Sequence, residues 1–271
     1  MINLTLLDQK LLILSAEVGL PVYDFDFSLY FACSHPYQID GELPCVIRTG
    51  AIDDYASEYA TQLARGIRLI NSPEQHERAS ELIHWYPRLQ ALTPRTMVFE
   101  TLPTVTEIET HFNWPVFMKG SRQTAKHALD LSVIRSAAQY EVAANKYKTN
   151  PILHWQKPVI REFAPLMPVA GGIPGQITPS LEFRSFWWQG ECVGCGRYWY
   201  QTPHYSCADL ADGLAVAKQA AQLMQVPFLV VDFAKTLAGN WIVIECNDAQ
   251  EAGYADVVPR NLWQAILEKM A

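Results

Sequence analysis

Pro227-Phe-Leu-Val-Val-Asp-Phe-Ala-Lys-Thr-Leu-Ala-Gly-Asn-Trp-Ile-Val-Ile-Glu-Cys-Asn-Asp248 consists of two apolar, β-branched runs joined by a short segment that ends in Gly239-Asn240. That pattern reads as an antiparallel hairpin. A turn centred between Ala238 and Gly239 puts Asp232 opposite Glu245. Directly paired strand residues hold their Cβ atoms about 5 Å apart. Asn247 shares the face of Glu245, because strand side chains alternate with period two. Two carboxylates this close repel unless a cation lies between them. Two carboxylates and an amide oxygen suit a hard divalent ion such as magnesium.

The segments upstream decide what surrounds this hairpin. Pro115 to Lys119 and Lys157 to Phe163 read as strands, and Leu131 to Lys146 as mostly helix. Ala164 to Pro179 is rich in Pro and Gly and reads as a loop. Ser180 to Trp188 and Glu191 to Trp199 form a second hairpin about Gln189-Gly190. Ala208 to Gln225 carries Leu210, Leu214, Ala217, Ala221 and Met224 on one helical stripe, and a last helix covers Arg260 to Met270. Strands and helices in this order make an α+β unit with an antiparallel sheet.

The first hundred residues read as a smaller α/β unit, bounded near Pro94. Its expected elements are a helix over Leu4 to Val18, a strand over Leu43 to Ile47, and helices over Asp53 to Arg65 and Pro73 to Tyr86. Ser72, Pro73 and Glu74 supply the start signals of the last helix. The expected division is 1–92 and 93–271.

Cations fall on the strands of the second unit: Lys119, Arg161 and Arg184, with Lys126 just after a strand. Alternation places Arg184 on the face of Glu182, and Lys119 with Phe117. Cations on half-buried strands need anionic partners. Several of them beside a two-carboxylate metal site point to a triphosphate, gripped by lysine as a point charge and by arginine as a fork. No G-x4-G-K-[ST] loop, strand-linked G-x-G-x-x-G or H-E-x-x-H occurs.

Ordered along the chain, Pro115-Val-Phe-Met-Lys-Gly120, Val159-Ile-Arg-Glu-Phe163, Glu182-Phe-Arg-Ser-Phe186, Val231-Asp-Phe233 and Ile244-Glu-Cys-Asn-Asp248 resemble an ATP-grasp domain over roughly residues 93 to 255. They are most similar to a clade whose signature is one arginine and two lysines, here Arg184, Lys119 and Lys126. The resemblance implies an ATP-grasp fold of antiparallel sheets with helices, preceded by a small α/β domain. It implies ATP and Mg2+ as cofactors. Lys119 and Lys126 would reach the phosphates, and Arg161 would add positive charge there. Ile160 to Phe163, with Glu162, would read the adenine. Arg184 would stabilise the transferring phosphate, with Lys126 as its catalytic companion. Asp232, Glu245 and Asn247 would hold the metal, and Arg48 would face a substrate. Two departures stand out. Ser121-Arg-Gln-Thr-Ala-Lys126 replaces a glycine-rich loop. The helix before Pro94-Arg-Thr96 offers only Arg78 or Arg88 where many members carry lysine.

The implied reaction joins a carboxylate to an amine or thiol through an acyl phosphate, releasing ADP. A kinase that stops at phosphoryl transfer and a nucleotide-binding module without turnover are the alternatives. His127 and His204 are the histidine candidates for a base. A net charge of −7 on 271 residues argues against nucleic acid as a partner. No uncharged apolar run approaches membrane-spanning length, and Met1 to Lys10 lacks a basic n-region ahead of its apolar residues. The six scattered cysteines fit a reducing cytoplasm. Cys192-Val-Gly-Cys195 with His204 and Cys207 has a zinc-like spacing, but a strand over 191–199 splits the first pair, and buried thiols are the expectation. The expected partner is a small molecule or peptide, and a homodimer fits the same reading.

Overall fold

The computed structural model describes residues 2–16, 25–39, 41–122, 124 and 128–270. The chain opens on a hairpin, β1 (Ile2–Leu7) and β2 (Leu11–Ala16), not on the expected helix. The polar triplet Asp8-Gln9-Lys10 is the turn: Asp8 and Gln9 take positive φ, and Lys10 N–H donates to Leu7 O at 2.8 Å. The apolar spacing that resembles a helical stripe belongs to a hairpin buried on both faces. Leu7, Leu11 and Ile13 enter one core, and Leu6, Leu12 and Leu14 another. Residues 17 and 18, included in the expected helix, lie outside the described residues.

β3 (Cys33–Ser34), β4 (Leu43–Arg48) and β5 (Ile67–Leu69) complete a first sheet in the order β3-β1-β2-β4-β5. α1 (Tyr55–Leu63) crosses between the parallel strands β4 and β5. α2 (Pro73–Ser80) starts with the expected signals, a capping box of Ser72 and Gln75 behind Pro73. It stops early. Glu81 turns extended to pair with Arg122, and Leu82 N–H donates to Ser121 O before α3 (Leu82–Leu89) begins.

A second sheet has the order β6-β9-β7-β8, formed by β6 (Thr96–Val98), β7 (Val116–Gly120), β8 (Val133–Ile134) and β9 (Pro158–Glu162), all antiparallel. α4 (Val105–His111), α5 (Leu129–Ser132) and α6 (Ala137–Tyr147) surround its core. The helix expected over Leu131 to Lys146 is interrupted by β8. Val133 and Ile134 extend to pair with Phe117 and Val116, and Ser136 then caps a new helix.

The third sheet is the hairpin pair: β10 (Glu182–Trp188), β11 (Glu191–Arg197), β12 (Phe228–Lys235) and β13 (Trp241–Asp248), ordered β11-β10-β12-β13. α7 (Leu210–Met224) covers one face with α2 and α3, burying Trp85, Phe233 and Met224. α8 (Pro259–Lys269) and the first sheet cover the other face, burying Phe186, Trp188, Phe228 and Trp263. Among the described residues no helix is long and apolar enough to cross a membrane.

Candidate active site

The central hairpin brings Asp232 and Glu245 face to face as expected. The route differs. Near the turn Lys235 pairs with Trp241 and Phe233 with Val243, and a bulge at Ile244 then restores the register. Bulges bend a strand and re-aim its side chains. Glu245 and Asn247 share a face, and Asn247 Nδ2 donates to Glu245 Oε1 at 3.1 Å.

Each carboxylate has a cation of the chain beside it. Arg184 on β10 sits opposite Asp232 in the ladder and forks onto it, with Nε to Oδ1 at 2.8 Å and Nη2 to Oδ2 at 2.7 Å. Its Nη1 donates to Gly253 O at 3.0 Å, beyond the end of β13. Burial works against the charge of Arg184, yet Asp232, aided by Glu245 and Glu182, outweighs it and holds the guanidinium pKa above its ordinary value. Lys119 reaches across from the second sheet, and its Nζ donates to Glu245 Oε2 at 2.8 Å. Both members are largely buried, at 3% and 17% side-chain exposure, so solvent screens them little.

Arg161 on β9 stitches the same two sheets. Its Nε donates to Thr96 Oγ1 at 3.0 Å and its Nη1 to Ile244 O at 2.8 Å. Nη2 is buried with no partner among the described residues. Burial brings this guanidinium down to about 10, with Glu245 acting in the other direction. A buried donor without an acceptor is costly and calls for a ligand, water or ion.

Between the second and third sheets lies a cavity of about 390 Å³. Phe117, Lys119, Arg161, Glu162, Phe163, Asp232 and Glu245 line it, and the 164–180 loop closes one side through Leu166, Ile177 and Pro179. Its lining combines apolar and charged side chains, which suits a flat ring joined to an anion. The structure thus gathers Lys119, Arg161, Glu162, Phe163, Asp232 and Glu245 around one cleft. Arg184 bonds to Asp232 and Asn247 to Glu245 without lining the cavity themselves. Lys126 and His127 lie outside the described residues.

Other expected residues point elsewhere. Arg48 is buried, and its Nη1 donates to the carbonyls of Ala249, Gln250 and Ala252, so it holds the turn after β13 instead of facing a substrate. Arg78 Nη1 donates to Met224 O at the end of α7, and Arg88 is exposed. His204 is exposed. Cys192 is exposed on β11, and burial pushes the Cys195 thiol up to about 12. Strand alternation assigns Glu182 nothing beyond the face of Arg184. It is a buried carboxylate in the cleft wall, where Oε2 accepts from Trp199 Nε1 at 2.9 Å. Among the described residues no three His, Cys, Asp or Glu side chains converge as a metal cage. The donor set of Asp232, Glu245 and Asn247 is two carboxylates and an amide, all hard oxygen ligands. It fits a magnesium ion that keeps several waters.

Residues 69–266 match the family model of an ATP-grasp domain, family 3 of the clade named for its one arginine and two lysines. The chain belongs to that family. The ATP-grasp chain also shares its fold with solved structures at low identity. D-alanine–D-alanine ligase from Bacillus anthracis, complexed with ATP, matches with a TM-score of 0.59 at 11% identity, over 84% of this chain and 78% of that one. VanG D-Ala:D-Ser ligase from Enterococcus faecalis matches with a TM-score of 0.59 at 12% identity, over 89% and 75%. The RimK domain ATP-grasp protein from Sphaerobacter thermophilus matches with a TM-score of 0.57 at 11% identity, over 83% and 80%. No curated protein matches the sequence.

Proposed function

We propose that this ATP-grasp chain is an ADP-forming ligase that joins a carboxylate to an amine or thiol through an acyl phosphate. The observation that carries the reading is the alternation of charge at the cleft: Lys119 on Glu245, Arg184 on Asp232, and Arg161 with a buried donor to spare. A carboxylate attacking a γ-phosphate is an anion meeting an anion. Fixed cations in a water-poor cleft stabilise the charge that develops, without reorganising at the moment of reaction.

The family resemblance and the positions of the described residues support the following roles. The apolar lining of the cleft, with Arg161 to Phe163 of the Ile160 to Phe163 segment in its wall, would hold the adenine. Lys119 and Arg161 would grip the phosphates, joined by Lys126. Asp232, Glu245 and Asn247 would hold Mg2+, which when bound supplies positive charge against the triphosphate. Arg184, fixed between Asp232 and Gly253 O, would add positive charge beside the transferring phosphate. The fold likeness to D-alanine ligases favours the ligase over the kinase alternative, since those proteins are named for joining two amino acids.

The test is ATP turnover across a panel of amino acids and short peptides, with ADP and AMP both quantified. ADP release that needs both a carboxylate and a nucleophile is the expected result. AMP as the product excludes the acyl-phosphate route, and ADP release with a phosphorylated product that never couples makes the protein a kinase. Asp232→Asn and Glu245→Gln should each weaken magnesium-dependent ATP binding in calorimetry by about tenfold or more while leaving the melting curve cooperative.

A further inference from the structure

An amine nucleophile enters as an ammonium ion and cannot attack until it loses a proton. Asp232 and Glu245 are occupied by Arg184 and Lys119. A different set of groups lies just beyond the end of β13. His76 of α2 is buried between Asp248 and Glu251: Nδ1 lies 3.0 Å from Asp248 Oδ2, and Nε2 lies 4.0 Å from Glu251 Oε1. The Tyr55 ring stacks on the imidazole at 4.0 Å, with 2° between the planes.

The network around Asp248 fixes these positions. Asp248 Oδ1 accepts from Asn71 Nδ2 at 2.8 Å and from Gln250 N–H at 2.9 Å, and Oδ2 accepts from Gln250 Nε2 at 3.2 Å. An oxygen surrounded by donors assigns the Nδ1 proton to His76 and aims Nε2 at Glu251. Glu251 is the most accessible member of the set. Its side chain is 17% exposed, against 3% for His76 and 0% for Asp248. Its carboxylate accepts from Ile52 N–H at 2.9 Å, which ties it to the first unit.

Glu251 is connected to the cleft through the chain. It lies four residues past Asn247, in the turn whose Gly253 O is held by Arg184, itself forked onto Asp232. Arg122, paired with Glu81, exerts an electrostatic pull on it and stands four residues before Lys126 in the sequence.

We propose that Glu251 is the proton acceptor for a primary-amine nucleophile, with His76 and Asp248 as positioning residues; the proposal rests on the acyl-phosphate ligase reading. The ammonium N–H proton passes to the Glu251 carboxylate. The freed nitrogen lone pair attacks the acyl carbon, the C–O bond to phosphate breaks, and the second nitrogen proton leaves with inorganic phosphate. Glu251 then returns its proton to solvent. The charge of the site selects an amine over a thiol: Glu251 and Asp248 attract an ammonium and repel a thiolate.

The titratable and charged groups that act on Glu251 are His76 and Tyr55 from the first unit, Asp248 from β13 and Arg122 after β7. Burial, aided by Asp248, lifts its carboxyl to about 6, against the pull of His76 and Arg122. A base near the working pH is the effective one. That value is a nearer match to an α-amine, about 7.7–8.0, than to a lysine side chain, about 10.4.

The test compares glycinamide, an ammonium at neutral pH, with hydroxylamine, which is already unprotonated there. Both are supplied with the carboxylate that supports ADP release in the panel. The parent should form both the glycinamide conjugate and the hydroxamate. Glu251→Gln keeps the acceptor for Ile52 N–H and should lose glycinamide conjugation about a hundredfold. Hydroxylamine should rescue its turnover to within roughly threefold of the parent. The parent's kcat/KM for glycinamide should fall below about pH 6, and that limb should vanish in the variant. Retained glycinamide conjugation, or equal loss with both nucleophiles, overturns the assignment of Glu251. A parent that yields no hydroxamate with any carboxylate overturns the acyl-phosphate reading, and the proposal falls with it.

Discussion

Lys119 Nζ and Glu245 Oε2 lie 2.8 Å apart, so the lysine proposed for phosphate and the carboxylate proposed for metal are partners in one buried ion pair. The pair joins β7 of the second sheet to β13 of the third and crosses the floor of the cleft. Neither charge waits in an apolar wall alone, and nucleotide with metal would replace one set of counter-charges by another.

Breaking this pair from one side should cost more than removing it whole. Lys119→Met and Glu245→Gln are each expected to destabilise the chain by about 3 kcal/mol, because each leaves the opposite charge in a buried setting. The double variant should cost at least about 1 kcal/mol less than the two losses together. Urea unfolding of the four proteins measures the coupling. Strict additivity would show that the two side chains do not support each other.

Arg184 should matter more for chemistry than for ATP affinity. Removing it deletes a cation, but also frees the Asp232 carboxylate from a two-point fork. Those effects oppose each other in Mg-ATP binding and reinforce each other in the transition state, where negative charge is greatest. Arg184→Ala is expected to reduce turnover about a hundredfold and to change Mg-ATP affinity by less than about fivefold, measured by steady-state kinetics and calorimetry. Equal losses in both would make Arg184 a binding residue only.

The sequence makes some of this site legible and hides the rest for definable reasons. Asp232 opposite Glu245 follows from strand alternation and a short turn, both local rules. The bulge at Ile244 is invisible, since no residue type there demands it. The opening hairpin defeats a periodicity argument because Leu4, Leu7, Leu11 and Leu14 fit a helical stripe as well as two doubly buried strands; the deciding signal is the polar triplet Asp8-Gln9-Lys10. Pairings such as Lys119 with Glu245, or His76 with Asp248 across 172 positions, depend on how sheets and helices stack. Only the ordered resemblance to ATP-grasp domains brings the first pair into one site. Nothing comparable points to His76, although Asp248 directly follows Asn247.

The core under α7, on the sheet face opposite Asp232, sets a steric limit at Gly213. A Cβ there would lie 2.7 Å from both the Phe233 and Trp241 rings. Phe233 is fully buried and Trp241 Nε1 is tied to Asp209, so neither ring yields freely. Alanine favours an isolated helix by roughly 1 kcal/mol over glycine. Overpacking should prevail, and Gly213→Ala is expected to lower stability by about 1–3 kcal/mol in urea unfolding. A gain in stability would show that α7 lifts off the sheet without loss.

Glu251 should impose a pH dependence on folding that its amide analogue lacks. Burial raises its carboxyl from an ordinary 4.5 to about 6, so the folded chain holds that proton more tightly than the unfolded chain. The native state therefore keeps this contribution in full below pH 4.5 and loses it as pH rises through 6. At about pH 7.5 the ionised, largely buried carboxylate costs on the order of 2 kcal/mol, the equivalent of the shift. Glu251→Gln removes the ionisation and keeps an oxygen for Ile52 N–H. The variant is expected to be more stable than the parent by about that amount near pH 7.5 and equal to it near pH 4.5. Urea unfolding at both pH values checks the sign as well as the size. A variant less stable at the higher pH would mean that His76 and Arg122 stabilise the carboxylate more than burial penalises it. Such a carboxylate would hold its proton too weakly to serve as the acceptor for an incoming ammonium.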